Sequence, residues 1–308
     1  MGFVGYNYRR LHWRFRLKAI LLAAGAGTRC YPFTYLTPKI FQQIGGIPLV
    51  EYMLSWFGGA PEVEELSIVV RNKAIAATLN NYLDKRRPYL DKILDLFHAL
   101  GYRVEYTNPD FKIDVLVAPG WGTGGDLRSA LDHMRDKAAL GDDFLVCYTD
   151  YIINRTLSDG SISPQMNLSD IVAYHSHCKE TLGTVMTVAF VTVPREDAVR
   201  FGVGQFEEIK GCKIVRGFIE KPDITQVPEA PAVNAGISII DSRFLLPRID
   251  AYLPRKPDTS LERNLTERLA REEKPMLAAY LLELDAWFDV GTLEQLIQTN
   301  IFVASKKE

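Results

Sequence analysis

A short apolar run, Lys18 to Ala24, empties directly into Gly25-Ala26-Gly27-Thr28-Arg29, and Pro38-Lys39 follows ten residues beyond that arginine. A continuous apolar run of this kind reads as a strand buried on both faces, which requires a sheet covered by helices on either side. Glycines at the end of such a strand let the backbone approach a ligand closely and turn several N–H donors toward oxygen atoms. Arg29 adds a permanently charged bidentate donor and Lys39 a mobile point charge. Together they form a cradle for a triphosphate. Other phosphate loops do not fit. A dinucleotide fingerprint needs a glycine where Cys30 stands and an acid closing the next strand, whereas Glu51 falls inside a helical pattern. The G-x-x-x-x-G-K-[ST] loop is absent. The plain structural alternative is a glycine turn with two surface cations.

Periodicity extends the same architecture. Strands are expected at Leu66–Val70, Arg103–Tyr106, Asp114–Val117 and Phe144–Thr149, and helices at Pro48–Phe57, Ala74–Leu83 and Tyr89–Leu100, the last stopped by Gly101. Beyond about residue 160 the pattern becomes richer in strands, at Thr184–Val193, Val203–Glu208, Lys213–Ile219 and Val233–Ile240. Helices return at Leu261–Glu272 and Leu293–Val303. The reading is an α/β, Rossmann-like mixed and mostly parallel sheet sandwiched by helices, with a β-rich second half. One domain is expected over 18–308, divided near 160, after an extension over 1–17.

That extension interleaves Arg9, Arg10, Arg14 and Arg16 with Tyr6, Tyr8, Trp13 and Phe15. It lacks the apolar stretch and cleavage site of a signal peptide, so it reads as a surface-packed arm. The chain is 47% hydrophobic with a net charge of −2, which leaves no basic field for nucleic acid. No apolar run reaches the ~20 residues that a membrane span needs. The four cysteines lie far apart, as reduced thiols of a cytoplasmic protein do. His175 and His177, beside Cys178, lie on different faces of a helical pattern and suggest no metal cluster. Asp142-Asp143 and Glu207-Glu208 read as solvated pairs, and Trp121 as a packing or base-stacking residue.

Six further segments, taken in order with the opening loop, carry a resemblance to the sugar-1-phosphate nucleotidyltransferases, the family that makes nucleotide sugars. Gly25-x-Gly27-Thr28-Arg29 with Pro38-Lys39 resembles the family's opening signature. Gly122-Thr123-Gly124-Gly125 is similar to its second glycine turn, which packs on base and ribose. Thr149-Asp150 and Trp287-Phe288-Asp289-Val290-Gly291-Thr292 resemble its two metal-binding segments, implying that Asp150 and Asp289 hold one Mg²⁺. Phe201-Gly202-Val203-Gly204 and Glu220-Lys221-Pro222 resemble its sugar-phosphate segments, and Asn234-Ala235-Gly236 its sugar-hydroxyl contact. Three departures stand out: Thr149 replaces the usual glycine and could crowd the metal, Ile40 follows Pro-Lys, and residues 84–110 are long. The plain reading of Asp150 is a strand-end cap, and of Asp289 a turn or helix cap.

The resemblance implies in-line attack of a sugar 1-phosphate on the α-phosphorus of a nucleoside triphosphate. Arg29 would hold the leaving pyrophosphate, Lys39 the triphosphate and Lys221 the sugar phosphate. Gly204 would line the sugar-phosphate site, with Glu220 and Asn234 on the sugar hydroxyls. The base is expected against Ala23-Ala24 and the turn Gly122, Thr123, Gly124 and Gly125, read by backbone groups, with UTP or dTTP ahead of CTP. Glucose 1-phosphate is the default sugar, by analogy. A homo-oligomer without a C-terminal β-helix is expected. The rival readings are a non-catalytic nucleotide-sugar sensor and, weakly, a nicotinamide oxidoreductase.

Overall fold

A computed structural model describes residues 17–108, 110–136 and 141–305; the arm over 1–16 lies outside the described residues. Its main strands are β1 (Leu17–Ala23), β2 (Val63–Val70), β3 (Lys112–Val117), β4 (Asp143–Tyr148), β5 (Tyr151–Thr156), β6 (Met186–Thr192), β7 (Gly202–Ile209), β8 (Cys212–Glu220), β9 (Ala232–Asp241), β10 (Leu277–Leu281) and β11 (Ala286–Asp289). The longer helices are α1 (Leu49–Gly58), α2 (Lys73–Arg86), α3 (Leu90–Ala99), α4 (Thr123–Asp136), α5 (Leu168–Leu182) and α6 (Leu293–Ala304).

Nine strands form one sheet in the order β7-β8-β10-β6-β9-β4-β1-β2-β3. The half β4-β1-β2-β3 is wholly parallel, with Ala23 level with Val70 and Val70 level with Val117. Three successive carboxyl ends therefore finish flush, on the edge where open parallel sheets bind ligands. Beyond β4 the sheet is mainly antiparallel, because β9 runs opposite to both β4 and β6. The sheet is mixed, as expected, but parallel and antiparallel neighbours are evenly balanced rather than mostly parallel. Ala19, Ile20 and Leu21 of β1 are fully buried, as its unbroken apolar run required.

Local chemistry explains most boundaries. Asn72 caps α2 by accepting from Ile75 N at 2.9 Å, and α5 ends at Gly183 with φ 74°. Glu51, fully buried in α1, is matched by Arg86, whose Nε and Nη2 donate to its two oxygens at 2.6 and 2.8 Å. A buried carboxylate persists only with such partners. The long segment after residue 84 thus closes on α1, with Phe97 stacking edge-on to Tyr52 at 5.0 Å.

Two expectations fail, and one expected helix takes a different form. No strand forms at Arg103–Tyr106, because the Gln165 side chain takes up the backbone groups of Glu105, accepting from its N and donating to its O at 2.8 Å each. The helix expected over Leu261–Glu272 opens with a π-helical turn, Glu262–Thr266, before the short helix Glu267–Ala270. Asp143 is buried rather than solvated: Lys179 Nζ bonds it at 2.6 Å and Asp241 at 2.8 Å, tying α5 to the far ends of β4 and β9.

Candidate active site

The glycine loop after β1 turns on Gly27, whose φ of 65° lies in the left-handed region and whose Cβ would stand 3.0 Å from Thr34 Cγ2. Thr34 Oγ1 donates to Gly27 O at 2.8 Å and locks the turn. Cys30, buried, points its thiol at Gly291 O, 3.4 Å away, and so pins the loop to the end of β11. That contact joins segments 261 positions apart, and nothing local in the sequence announces it.

The two aspartates come together through the backbone. β11 pairs antiparallel with β5, Asp289 opposite Tyr151, and Val290 N donates to Asp150 O at 2.8 Å. Asp289 accepts from Gly291 N at 2.7 Å. A side chain on Gly291 would strike Asp289 Oδ1 at 2.5 Å and Arg29 Nη2 at 2.9 Å, so that glycine makes room for an arginine beside the carboxylate. Lys39 Nζ bonds Asp150 Oδ2 at 2.8 Å. Burial raises the Asp289 carboxyl above its ordinary range and the Asp150 charge adds to this, while Lys39 and Arg29 pull it back. Two carboxylates held close enough to repel suit a divalent cation. Among the described residues no cluster of three or more His, Cys, Asp or Glu exists. A magnesium ion here would therefore draw its remaining ligands from phosphate and water. Thr149 is buried and turns its hydroxyl back to Leu22 O at 3.4 Å, and Ile40 is buried in the core.

The second glycine turn opens α4, and its glycines answer to packing. Gly124 N and Gly125 N donate to Thr259 O at 2.9 and 3.1 Å. A Cβ on Gly122 would stand 2.7 Å from that same carbonyl, and one on Gly124 2.9 Å from Thr259 Cγ2. Gly120 N and Trp121 N both donate to Asp126 Oδ1, at 2.9 and 3.1 Å. These four amides are thus committed to protein acceptors. Ala23 and Ala24 close β1 on the other side of β2.

The residues expected at the sugar phosphate lie about an aromatic wall. Tyr151 stacks on Trp287 with ring centroids 4.8 Å apart, and Phe201 meets Trp287 edge-on at 5.1 Å. Among the described residues the buried Trp287 indole N–H has no acceptor, a donor that a ligand could satisfy. Gly236, φ 73°, sits in the β9 bulge that begins at Asn234, and its Cβ would fall 2.2 Å from Tyr151. Asn234 is buried and accepts from Gly236 N at 2.9 Å. Lys221 has φ 54°, an uncommon conformation for a side-chain-bearing residue, secured by its N–H donating to Phe201 O at 2.9 Å. Its ammonium stands 3.7 Å from Glu220. Burial raises the Glu220 carboxyl to about 7, helped by Glu262 and opposed by Lys221 and Arg263. Gly202 makes room for Phe218 and Glu220, since its Cβ would be 2.1 Å from Phe218 Cζ and 2.9 Å from Glu220 Oε2. The space at Gly204 is taken by Phe190 and Phe206, each 2.7 Å from its would-be Cβ.

Glu262 went unread in the sequence. It is buried in the π-helical turn and accepts from Thr123 Oγ1 at 2.9 Å, Ser260 Oγ at 2.8 Å and the Tyr148 hydroxyl. One carboxylate thus grips the second glycine turn and the end of β4, within electrostatic reach of Glu220. A π-turn at such a point often marks a functional site. Its partners Tyr148 and Thr123 lie 114 and 139 positions away, so periodicity gives no sign of the contact.

Residues 18–306 match the family model described as nucleotidyl transferase, and the chain belongs to that family. It is 27% identical to the mannose-1-phosphate guanylyltransferase catalytic subunit beta of Dictyostelium discoideum, over 89% of this chain and 61% of that protein. It is 24% identical to the UTP–glucose-1-phosphate uridylyltransferase of Synechocystis sp., over 94% of this chain and 64% of that one. The chain thus spans about three-fifths of the length of these two relatives. A probable glucose-1-phosphate cytidylyltransferase of Bacillus subtilis is 24% identical and is covered over 95% of its length. In fold the chain is similar to the crystal structure of UDP-glucose pyrophosphorylase complexed with UDP-glucose, with a TM-score of 0.69 at 19% identity, over 95% of this chain and all of that one. Among the described residues no helix is long and apolar enough to cross a membrane.

Proposed function

We propose that this chain transfers a nucleotidyl group from a nucleoside triphosphate to a sugar 1-phosphate, giving a nucleotide sugar and pyrophosphate. The observation that carries it is the position of Tyr151. It pairs with Asp289 across the β5–β11 ladder, its ring stacks on Trp287, and the same ring lies against Gly236, whose amide bonds Asn234, so the paired aspartates adjoin the residues read as sugar-phosphate contacts.

The chemistry needs little beyond placement and charge. A sugar phosphate oxygen is already an anionic nucleophile at neutral pH and requires no side-chain base. It forms a bond to the α-phosphorus as the bond to the bridging β-phosphate oxygen breaks, and pyrophosphate leaves. Arg29 neutralises charge on the leaving pyrophosphate and Lys39 orients the triphosphate. Lys221 holds the attacking phosphate, with Glu220 and Asn234 on sugar hydroxyls. Asp150 and Asp289 would hold Mg²⁺, which supplies Lewis-acid neutralisation of the phosphates when bound.

UTP or dTTP with glucose 1-phosphate is the leading pair, and CTP the next base. The name of the Dictyostelium relative favours GTP with mannose 1-phosphate as a second reading. The test is pyrophosphate release from a matrix of UTP, dTTP, CTP, GTP and ATP against glucose, mannose and N-acetylglucosamine 1-phosphates. Release from one pair well above the rest supports the reading. Nucleotide-sugar binding without release from any pair would make the chain a non-catalytic sensor instead.

A further inference from the structure

The two segments expected to enclose the base, after β1 and after β3, are not neighbours: β2 lies between them in the sheet. With Ala23, Val70 and Val117 level, the residue that continues β2 over this edge is Arg71. Arg71 is exposed and leans across Gly120. Its Nε and Cγ stand 3.7 and 3.8 Å from where a Gly120 Cβ would be, and Ala24 O lies 3.9 Å from the same point. A Cβ at Gly120, whose φ is 73°, would thus sit in ordinary van der Waals contact with the arginine. Arg71 lies within electrostatic reach of Asp126, whose Oδ1 already accepts two amides. Val117, half exposed at the end of β3, offers an apolar surface beside it.

Of the turn expected to read the base by its backbone, the Gly124 and Gly125 amides are spent inside the protein, as are those of Gly120 and Trp121 beside it. A side chain that reaches this edge therefore has a share of the polar reading. We propose that Arg71 selects the base, favouring those with a carbonyl oxygen at pyrimidine C4 or purine C6 (uracil, thymine, guanine) over those with an amino group at that position (cytosine, adenine). A guanidinium has only donors. It can fork onto guanine O6 and N7 or bond uracil O4, but it meets the amino group of cytosine or adenine donor to donor. The inference rests on the nucleotidyl-transfer reading and narrows it to a substrate class.

Two measurements separate its failure from that of the wider reading. The first is kcat/KM for UTP, dTTP, GTP, CTP and ATP with whichever sugar 1-phosphate gives most turnover, in wild type, Arg71→Ala and Arg71→Lys. Wild type should favour carbonyl bases by ~10–100-fold, the discrimination a good bidentate pair supplies. Arg71→Ala should collapse that ratio by slowing the carbonyl bases, with the KM for sugar phosphate and the melting temperature unchanged. Arg71→Lys, which keeps the charge and loses the fork, should fall between. A wild-type preference for CTP or ATP overturns the proposal. So does an equal loss across all five nucleotides, which would put Arg71 on phosphate. The second measurement is calorimetric binding of UTP, GTP, CTP and ATP with magnesium to the same proteins. If no pair yields pyrophosphate, the transfer reading fails, yet a carbonyl preference in binding that Arg71→Ala removes still upholds this one. Identical binding profiles in wild type and Arg71→Ala overturn it.

Discussion

At the phosphate end of the site, charge is tightly paired: Lys39 lies 2.8 Å from Asp150, and Arg29 stands beside Asp289. At the sugar end the matching pair is loose, with Lys221 largely exposed and 3.7 Å from a Glu220 that burial holds partly protonated near neutral pH. The two ends also differ in how glycine is used. Gly25 has nothing within 4 Å of its would-be Cβ, whereas Gly236 is pressed against Tyr151 at 2.2 Å. One end is specified mainly by electrostatics and the other by shape against an aromatic wall. Mutations should therefore damage turnover at the first and folding at the second.

The sharpest way to break this contrast is Arg29→Ala. Losing one preorganised charge should lower kcat for pyrophosphate release by ~10² or more with the melting temperature unchanged. Near-normal turnover would remove the phosphate end from the chemistry. Gly236→Val should do the reverse, costing about 2–5 kcal/mol in urea unfolding from the positive φ and the overlap with Tyr151. Gly25→Ala is its control: stability should hold, while the KM for triphosphate rises because the backbone can no longer approach the phosphates. A stability loss at Gly25 matching that at Gly236 would erase the distinction.

Glu220 gives a pH test of the sugar end. Its folded pKa of about 7 lies above the ordinary 4.5, so the native state keeps a proton that the unfolded chain has released. Stability contributed by this group is therefore full below about 4.5 and is lost as pH rises through 7. Glu220→Gln should remove that dependence, making the variant more stable than wild type at pH 8 by on the order of 1–2 kcal/mol. Parallel stability curves from pH 5 to 8 would show that Glu220 is not strained by burial. The smallest effect belongs to Lys221→Gly, which relieves the positive φ. Unfolding stability should rise by about 0.5–1 kcal/mol as the KM for sugar phosphate increases and that for triphosphate does not.

The phosphate end was largely legible in the chain because its chemistry is contiguous: a buried strand, two glycines, an arginine and a lysine fall within 22 residues, 18–39. The parallel half of the sheet followed from strand and helix periods. Other elements resisted for identifiable reasons. Arg103–Tyr106 has a strand pattern, but Gln165 satisfies its backbone from another element. Asp143 looks solvated beside Asp142 until α5 brings Lys179 over it.

By itself the sequence determined which groups could bear charge and where glycine freed the backbone, since both are properties of single residues and their near neighbours. Only the tertiary structure decided which of them meet. The pairing of β5 with β11 brings Asp150 and Asp289 together, the turn at Glu262 ties Thr123 to Tyr148, and the sheet order sets Arg71 between the two base-flanking segments. Each is a contact or juxtaposition made by strand register and burial across tens to hundreds of residues, for which local periodicity carries no signal.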